Sequence, residues 1–232
     1  MALPKINVPT YELTIPSTKN QVTYRPFLVK EEKILLMANQ DENDTGTMIR
    51  AMRQIINNCI LEPNFDSEIL PIFDIEYIFL KLRAKSVGEI SEVGFRCPKC
   101  DTINQVEIDL ESVEVTTYEN HTNQILLTDT VGVILKYPDM YSISGTSEVE
   151  DVMNILCNCI ETIYDGEEVH SVSEYRPEEI TEFVDNLTQL QFQKMQSFFE
   201  TMPKLSHETE YTCSKCQHNQ KLLVEGLQNF FA

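Results

Sequence analysis

The chain has 232 residues, 42% of them hydrophobic, enough to bury one large core or two small ones. Its 37 acidic against 18 basic residues give a formal charge of −19, a field that repels phosphate backbones and anionic lipid, which argues against nucleic acid or membrane as the main partner. No apolar run reaches the roughly 20 residues of a membrane-spanning helix and no signal-peptide pattern opens the chain, so it reads as soluble and retained in the cell that makes it.

Seven glycines and no Pro, Ser or Gly tract leave no flexible linker, and the simplest organisation is one compact, discontinuous unit. Residues 1–29 contain "YELTIPSTKNQVTYRPF", which alternates polar and apolar residues around a Ser-Thr-Lys-Asn turn and predicts a β-hairpin. Residues 30–86 read as helical. A first helix covers 30–39, and a second starts near Asp44 as N-cap with Met48, Met52, Ile55, Ile56, Cys59 and Ile60 on one stripe. A third covers 72–85, with Ile72, Ile75, Ile78, Phe79 and Leu82 inward and Asp74, Glu76, Lys81, Arg83 and Lys85 outward. Residues 87–110 turn to strand patterns, "EISEVGFR" and "INQVEIDL". Residues 111–204 hold a hairpin in "ILLTDTVGVILKY" and then helices. Those helices are opened by a Ser147/Glu150 capping box, by Pro177 in a first turn, and by a Thr188/Gln191 capping box ahead of a stop at Pro203. Residues 205–225 return to strands, and 226–232 form a C-terminal tail.

Two phrases repeat in outline: "FRCPKCD" at 95–101 and "YTCSKCQ" at 211–217. Each C-x-x-C lies between strand-like segments and can be the tip of a hairpin presenting two thiolates. In a reducing compartment two such tips point to one metal site. Structural zinc takes four ligands in a tetrahedron, and Cys97, Cys100, Cys213 and Cys216 supply them, with Lys99 and Lys215 offsetting the negative charge of a tetrathiolate centre. A redox dithiol, one disulfide within each pair, an iron-sulfur cluster on the same thiolates, or His218 as a substitute ligand remain alternatives. The expected fold is α+β, with zinc-ribbon hairpins closing a discontinuous domain that carries several amphipathic helices.

Reaction motifs are missing. "DENDTG" at 41–46 opens like a calcium loop but puts Met52 where a bidentate Glu is needed. There is no phosphate-cradling glycine loop, no G-x-S-x-G and no H-E-x-x-H, and the four histidines read as surface residues. Residues 147–185 hold twelve acids and only Arg176, a solvated face or a docking surface for a basic protein patch.

The run "VTYRPFLVKEEKILLMA" at 22–38, with "PTYELTIPSTK", "LTQLQFQKMQSFFETMPKL" and the two cysteine knuckles, resembles the baseplate hub assembly protein family of T4-like contractile-tailed bacteriophages. The resemblance implies a non-enzymatic role in virion morphogenesis, as assembly factor or structural subunit of the baseplate hub. It implies other baseplate or hub proteins as partners, and a place in the host cytoplasm during assembly or in the finished tail baseplate. Arg25 and Phe27 in that run, and Phe230 and Phe231 at the C-terminus, are the candidate partner-binding residues. A zinc-ribbon module acting on nucleic acid or in transcription is the competing reading; it calls for a basic stripe beside the knuckles, where Glu92 and Asp101 stand against Arg96 and Lys99.

Overall fold

The computed structural model describes residues 6–38, 45–138 and 149–231. The predicted Asp44 N-cap, most of the 41–46 loop and the Ser147/Glu150 box lie outside the described side chains. In chain order the described strands are β1 (Tyr11–Thr14), β2 (Gln21–Tyr24), β3 (Ile90–Arg96), β4 (Ile103–Asp109), β5 (Glu114–Thr116), β6 (Gln124–Leu126), β7 (Val131–Leu135), β8 (Ile160–Asp165), β9 (Glu168–Ser171), β10 (Lys204–Thr212) and β11 (Asn219–Glu225). The helices are α1 (Val29–Ala38), α2 (Thr45–Cys59), α3 (Ile72–Val87), α4 (Val149–Cys159), α5 (Pro177–Asp185) and α6 (Gln189–Thr201). The fold mixes helices with small antiparallel sheets. Its contacts divide it into two compact units, Met1–Thr116 with Lys204–Ala232, and Thr117–Pro203. The single unit expected from the missing linker gives way to two because residues 117–203 bury a hydrophobic cluster of their own.

In the discontinuous unit, β1 and β2 pair around a turn that holds Lys19 in the left-handed region at φ 58°. Tyr24 then bridges to Ile60, and the Arg25 N–H donates to the Cys59 carbonyl at 3.0 Å, so the hairpin is fastened to the end of α2. The α2 stripe packs as its spacing predicts, with Met52, Ile55, Ile56 and Cys59 buried. Helix α3 departs from expectation. Asp74 and Lys81, predicted to face outward, are 0% and 5% exposed, and Phe73, Tyr77, Leu80 and Ala84 are buried too, so the helix is covered nearly all round.

Burial of those two charges is compensated locally, as it must be. Asp74 accepts from the Ser17 N–H at 3.0 Å and from the Ser17 hydroxyl. Lys81 Nζ donates to the carbonyls of Leu110, Glu111 and Val113 at 3.2, 2.6 and 3.1 Å, which locks the bend from β4 to β5. Ile75, Ile78, Leu80 and Leu82 are fully buried around them, each contributing about 1.5–3 kcal/mol.

Strands β3 and β4 form a two-stranded hairpin, and β11, β10 and β5 form a sheet in that order. In β4 the residues Asn104, Val106 and Ile108 point inward and alternate with exposed Ile103, Gln105, Glu107 and Asp109. After β11 a short 3-10 turn over Leu227–Phe230 buries Phe230 completely.

The second unit is a four-stranded meander, β6-β7-β8-β9, with α4, α5 and α6. Its core gathers Ile125, Leu127, Val133 and Leu135 from the sheet with Leu156, Ile180, Val184, Met195 and Phe198 from the helices. Pro177 takes the first turn of α5, and Thr188 with Gln191 forms the predicted capping box of α6. The β8–β9 hairpin is absent from the sequence expectation, which places only helices between the "ILLTDTVGVILKY" hairpin and Pro203. Its turn is Gly166-Glu167, between the paired Asp165 and Glu168, with Gly166 at φ 58°. Gly132 in β7 has a packing reason, since a Cβ there would lie 2.2 Å from the Tyr164 hydroxyl and 2.8 Å from the Ile125 carbonyl oxygen.

Candidate metal centre

The β3–β4 register ends at Arg96 opposite Ile103, leaving Cys97–Thr102 as the tip. The β10–β11 register ends at Thr212 opposite Asn219, leaving Cys213–His218. The two tips close with the same bonds. The Cys97 N–H donates to the Thr102 carbonyl and the Asp101 N–H to the Cys97 carbonyl, both at 2.9 Å. In the second tip the Cys213 N–H donates to His218 at 2.8 Å and the Gln217 N–H to Cys213 at 3.0 Å. The residue after each second cysteine turns left-handed, Asp101 at φ 56° and Gln217 at φ 57°. That left-handed residue turns the chain back into the second strand of each hairpin, leaving both cysteines of each pair within the tip.

The tips meet with sulfurs from different hairpins nearest each other. Cys97 Sγ lies 3.6 Å from Cys216 Sγ, and Cys100 Sγ lies 3.6 Å from Cys213 Sγ. All four sulfurs fall within 4.8 Å of one another. A disulfide needs a separation near 2.05 Å, and all four cysteines are free thiols. A tetrahedron with metal–sulfur bonds of about 2.3 Å has sulfur–sulfur edges of about 3.8 Å. The donor set therefore fits a closed four-thiolate metal site. His218 is not in the cluster; it contributes its backbone to the tip closure instead.

Electrostatics favour a cation at this point. The Cys216 N–H, and then that of Lys215, hold the Cys213 thiol down at about 6 against the effect of burial. Cys216 is pushed up to about 12: the His218 N–H lowers it, but burial and the three neighbouring sulfurs outweigh that bond. Four thiols this close cannot all ionise without a positive charge among them.

Two contacts around the cluster were not legible in the sequence. Asn104, buried in β4, donates from Nδ2 to the Thr102 carbonyl at 2.9 Å and toward Cys213 Sγ at 3.7 Å. Its Oδ1 accepts from the Ser214 N–H at 2.9 Å and hydroxyl at 3.0 Å, so one amide ties the first hairpin to the second tip. The aromatics of the two repeated phrases, Phe95 and Tyr211, stack with ring centroids 6.5 Å apart. The repeat thus marks two hairpins that pair residue for residue, sulfur with sulfur and ring with ring.

A family model described as T4 bacteriophage base plate protein matches residues 8–232. The chain belongs to that family. This baseplate protein therefore has a structural or assembly role in a phage baseplate, in association with other baseplate proteins and placed with the virion tail. No curated protein and no solved structure gives a significant match. Among the described residues no helix is long and apolar enough to cross a membrane.

The phrase that carried the resemblance, "YRPFLVKEEK", has a structural reason in the baseplate protein. Arg25 Nη2 lies 3.0 Å from Glu31 Oε1 and donates to the Asn58 carbonyl at 2.9 Å. Glu31, fully buried, also accepts from the Leu28 N–H at 2.9 Å at the start of α1. Burial alone would raise the Glu31 carboxyl, but the bonds from Arg25 and Leu28 outweigh it and hold it below the usual range. Phe27 is buried beside this pair. Of the two terminal aromatics, Phe230 is buried and its carbonyl accepts from the Ser91 hydroxyl at 2.6 Å. Phe231 is 38% exposed, with the Arg83 guanidinium 5.5 Å from its ring centroid.

Proposed function

We propose that this chain is a non-enzymatic assembly factor or structural subunit of the hub of a contractile phage tail baseplate, and that a structural zinc on Cys97, Cys100, Cys213 and Cys216 staples its discontinuous unit. The family match over residues 8–232 carries the baseplate part of this reading. The thiol cluster carries the metal part, because it joins chain segments more than a hundred residues apart at the two ends of an inserted unit. Zinc would supply no chemistry beyond ligation. Its four positions would be filled by thiolates, leaving none for water or substrate. Because such sites form with the fold, metal binding would contribute to folding directly.

The buried Arg25–Glu31 pair, the Lys81 lock and the thiol centre all fix the same unit, while Phe231 is the one candidate anchor whose ring remains partly exposed at its surface. Phe231→Ala is expected to weaken capture of a baseplate partner with the melting temperature unchanged.

The experiment is complementation in cells infected with phage lacking this gene, with tail structures counted by electron microscopy. Wild-type chain and Cys159→Ala restore complete tails, whereas Cys213→Ser leaves baseplates unassembled. Normal tails without the chain, or equal mild effects of the two substitutions, would refute the proposal.

A further inference from the structure

The second unit carries most of the protein's charge. Residues 117–203 hold three Lys or Arg, namely Lys136, Arg176 and Lys194, against sixteen Asp or Glu, a formal −13 of the total −19. Two of the three cations are spent locally. Arg176 Nε sits 3.3 Å from Glu179 in the cap of α5, and Lys194 Nζ donates to the Leu126 and Leu127 carbonyls at 2.9 and 3.4 Å.

On this acidic surface the same unit leaves an apolar groove. An open cleft of about 450 Å³ lies between the β6–β7 turn and the α5–α6 corner, floored by Leu127, Val131, Phe183 and Leu187 and rimmed by Glu179 and Glu182. Scattered surface leucines need no explanation, but apolar side chains gathered in a cleft with a charged rim mark a docking site.

The chemistry of the rim selects the occupant. Carboxylates repel phosphate, anionic lipid headgroups and acidic peptides, and two copies meeting through this face would oppose like charge. The geometry points to a cationic amphipathic segment of a partner protein as the occupant, its apolar side chains on Leu127, Val131, Phe183 and Leu187 and its Lys or Arg residues over Glu179 and Glu182. This site is independent of the thiol centre and stands whether or not zinc binds there.

The test titrates the full chain with a synthetic Leu/Lys amphipathic helix, following fluorescence anisotropy and backbone amide shifts. A Gly/Lys peptide of equal charge and a Leu/Glu peptide serve as controls. The Leu/Lys peptide alone is expected to bind, moving the amides of Leu127, Val131, Phe183 and Leu187. Phe183→Ser and Glu182→Lys should each weaken it about tenfold, as loss of an interface anchor does. Glu168→Lys, an equal charge change on β9 outside the groove, should change it less than about twofold, as an exposed charge does. Should Phe183→Ser disturb the fold, Glu182→Lys on the exposed rim carries the comparison. Equal binding of the Gly/Lys peptide, equal effects of Glu168→Lys and Glu182→Lys, or self-association of the chain abolished by the groove substitutions would overturn the assignment.

Discussion

Removing the Glu31 carboxylate tests whether the "YRPFLVKEEK" phrase is a structural element. The side chain is fully buried and serves three donors, Arg25 through both oxygens at 3.0 and 3.4 Å, the Leu28 N–H at 2.9 Å and Lys30 at 3.3 Å. Glu31→Ala leaves the Arg25 guanidinium, only 14% exposed, without its counter-charge, and the first turn of α1 without its cap. Breaking a buried pair from one side costs about 3–5 kcal/mol, against a total stability of about 5–15 kcal/mol for a typical domain. At roughly 2–4 °C per kcal/mol for a chain of this size, the melting temperature should fall by roughly 6–20 °C. The assay is urea unfolding of the single substitutions and of Arg25→Met with Glu31→Leu. The double substitution should cost less than the sum of its parts, with a coupling of about 2 kcal/mol. A Glu31→Ala cost under about 1 kcal/mol, the value of a surface bridge, or strict additivity, would refute the reasoning.

Three further outcomes follow from named contacts. Lys81→Met removes the donor shared by three carbonyls; the cost should be at least about 1.5–3 kcal/mol, with amide exchange accelerated around residues 110–113. His121 sits against the Tyr137 and Phe198 rings at 5.6 and 5.1 Å, and burial holds its pKa below the usual range. The unfolded chain therefore binds that proton more readily, so stability from this group falls as pH drops through about 6.5 toward the folded value. His121→Gln should flatten the melting temperature between about pH 7.5 and 5.5 relative to wild type, and an unchanged slope would count against the assignment. Gly132→Ala places a methyl carbon 2.8 Å from a backbone oxygen and should destabilise by about 1–3 kcal/mol, read by thermal unfolding.

What the sequence exposed and what it hid follow from range. The thiol cluster was legible because C-x-x-C between strands carries its own chemistry, and the capping box at Thr188 and the stop at Pro203 are local signals. The buried state of Asp74 and Lys81 was not, because their partners, Ser17 and the carbonyls of 110–113, lie in distant segments and a charged residue on a helix reads as outward by default. The β8–β9 hairpin was missed although Gly166-Glu167 puts a glycine at the first central position of a two-residue turn; helix α4 ends at Cys159 and the strand begins at the next residue, so one apolar run served two elements. His121 gave no cue, since its ring partners arrive from β7's end and from α6. The cross-tie by Asn104 was equally silent, because its amide bonds reach a tip more than a hundred residues away.

Native mass spectrometry of the full chain made in zinc-replete medium tests the central claim most directly. One zinc per wild-type chain is expected, with none retained by Cys213→Ser and four thiols of the wild type newly reactive after chelation. A folded wild-type chain that carries no metal, with all four thiols titrating freely from the outset, would contradict the account.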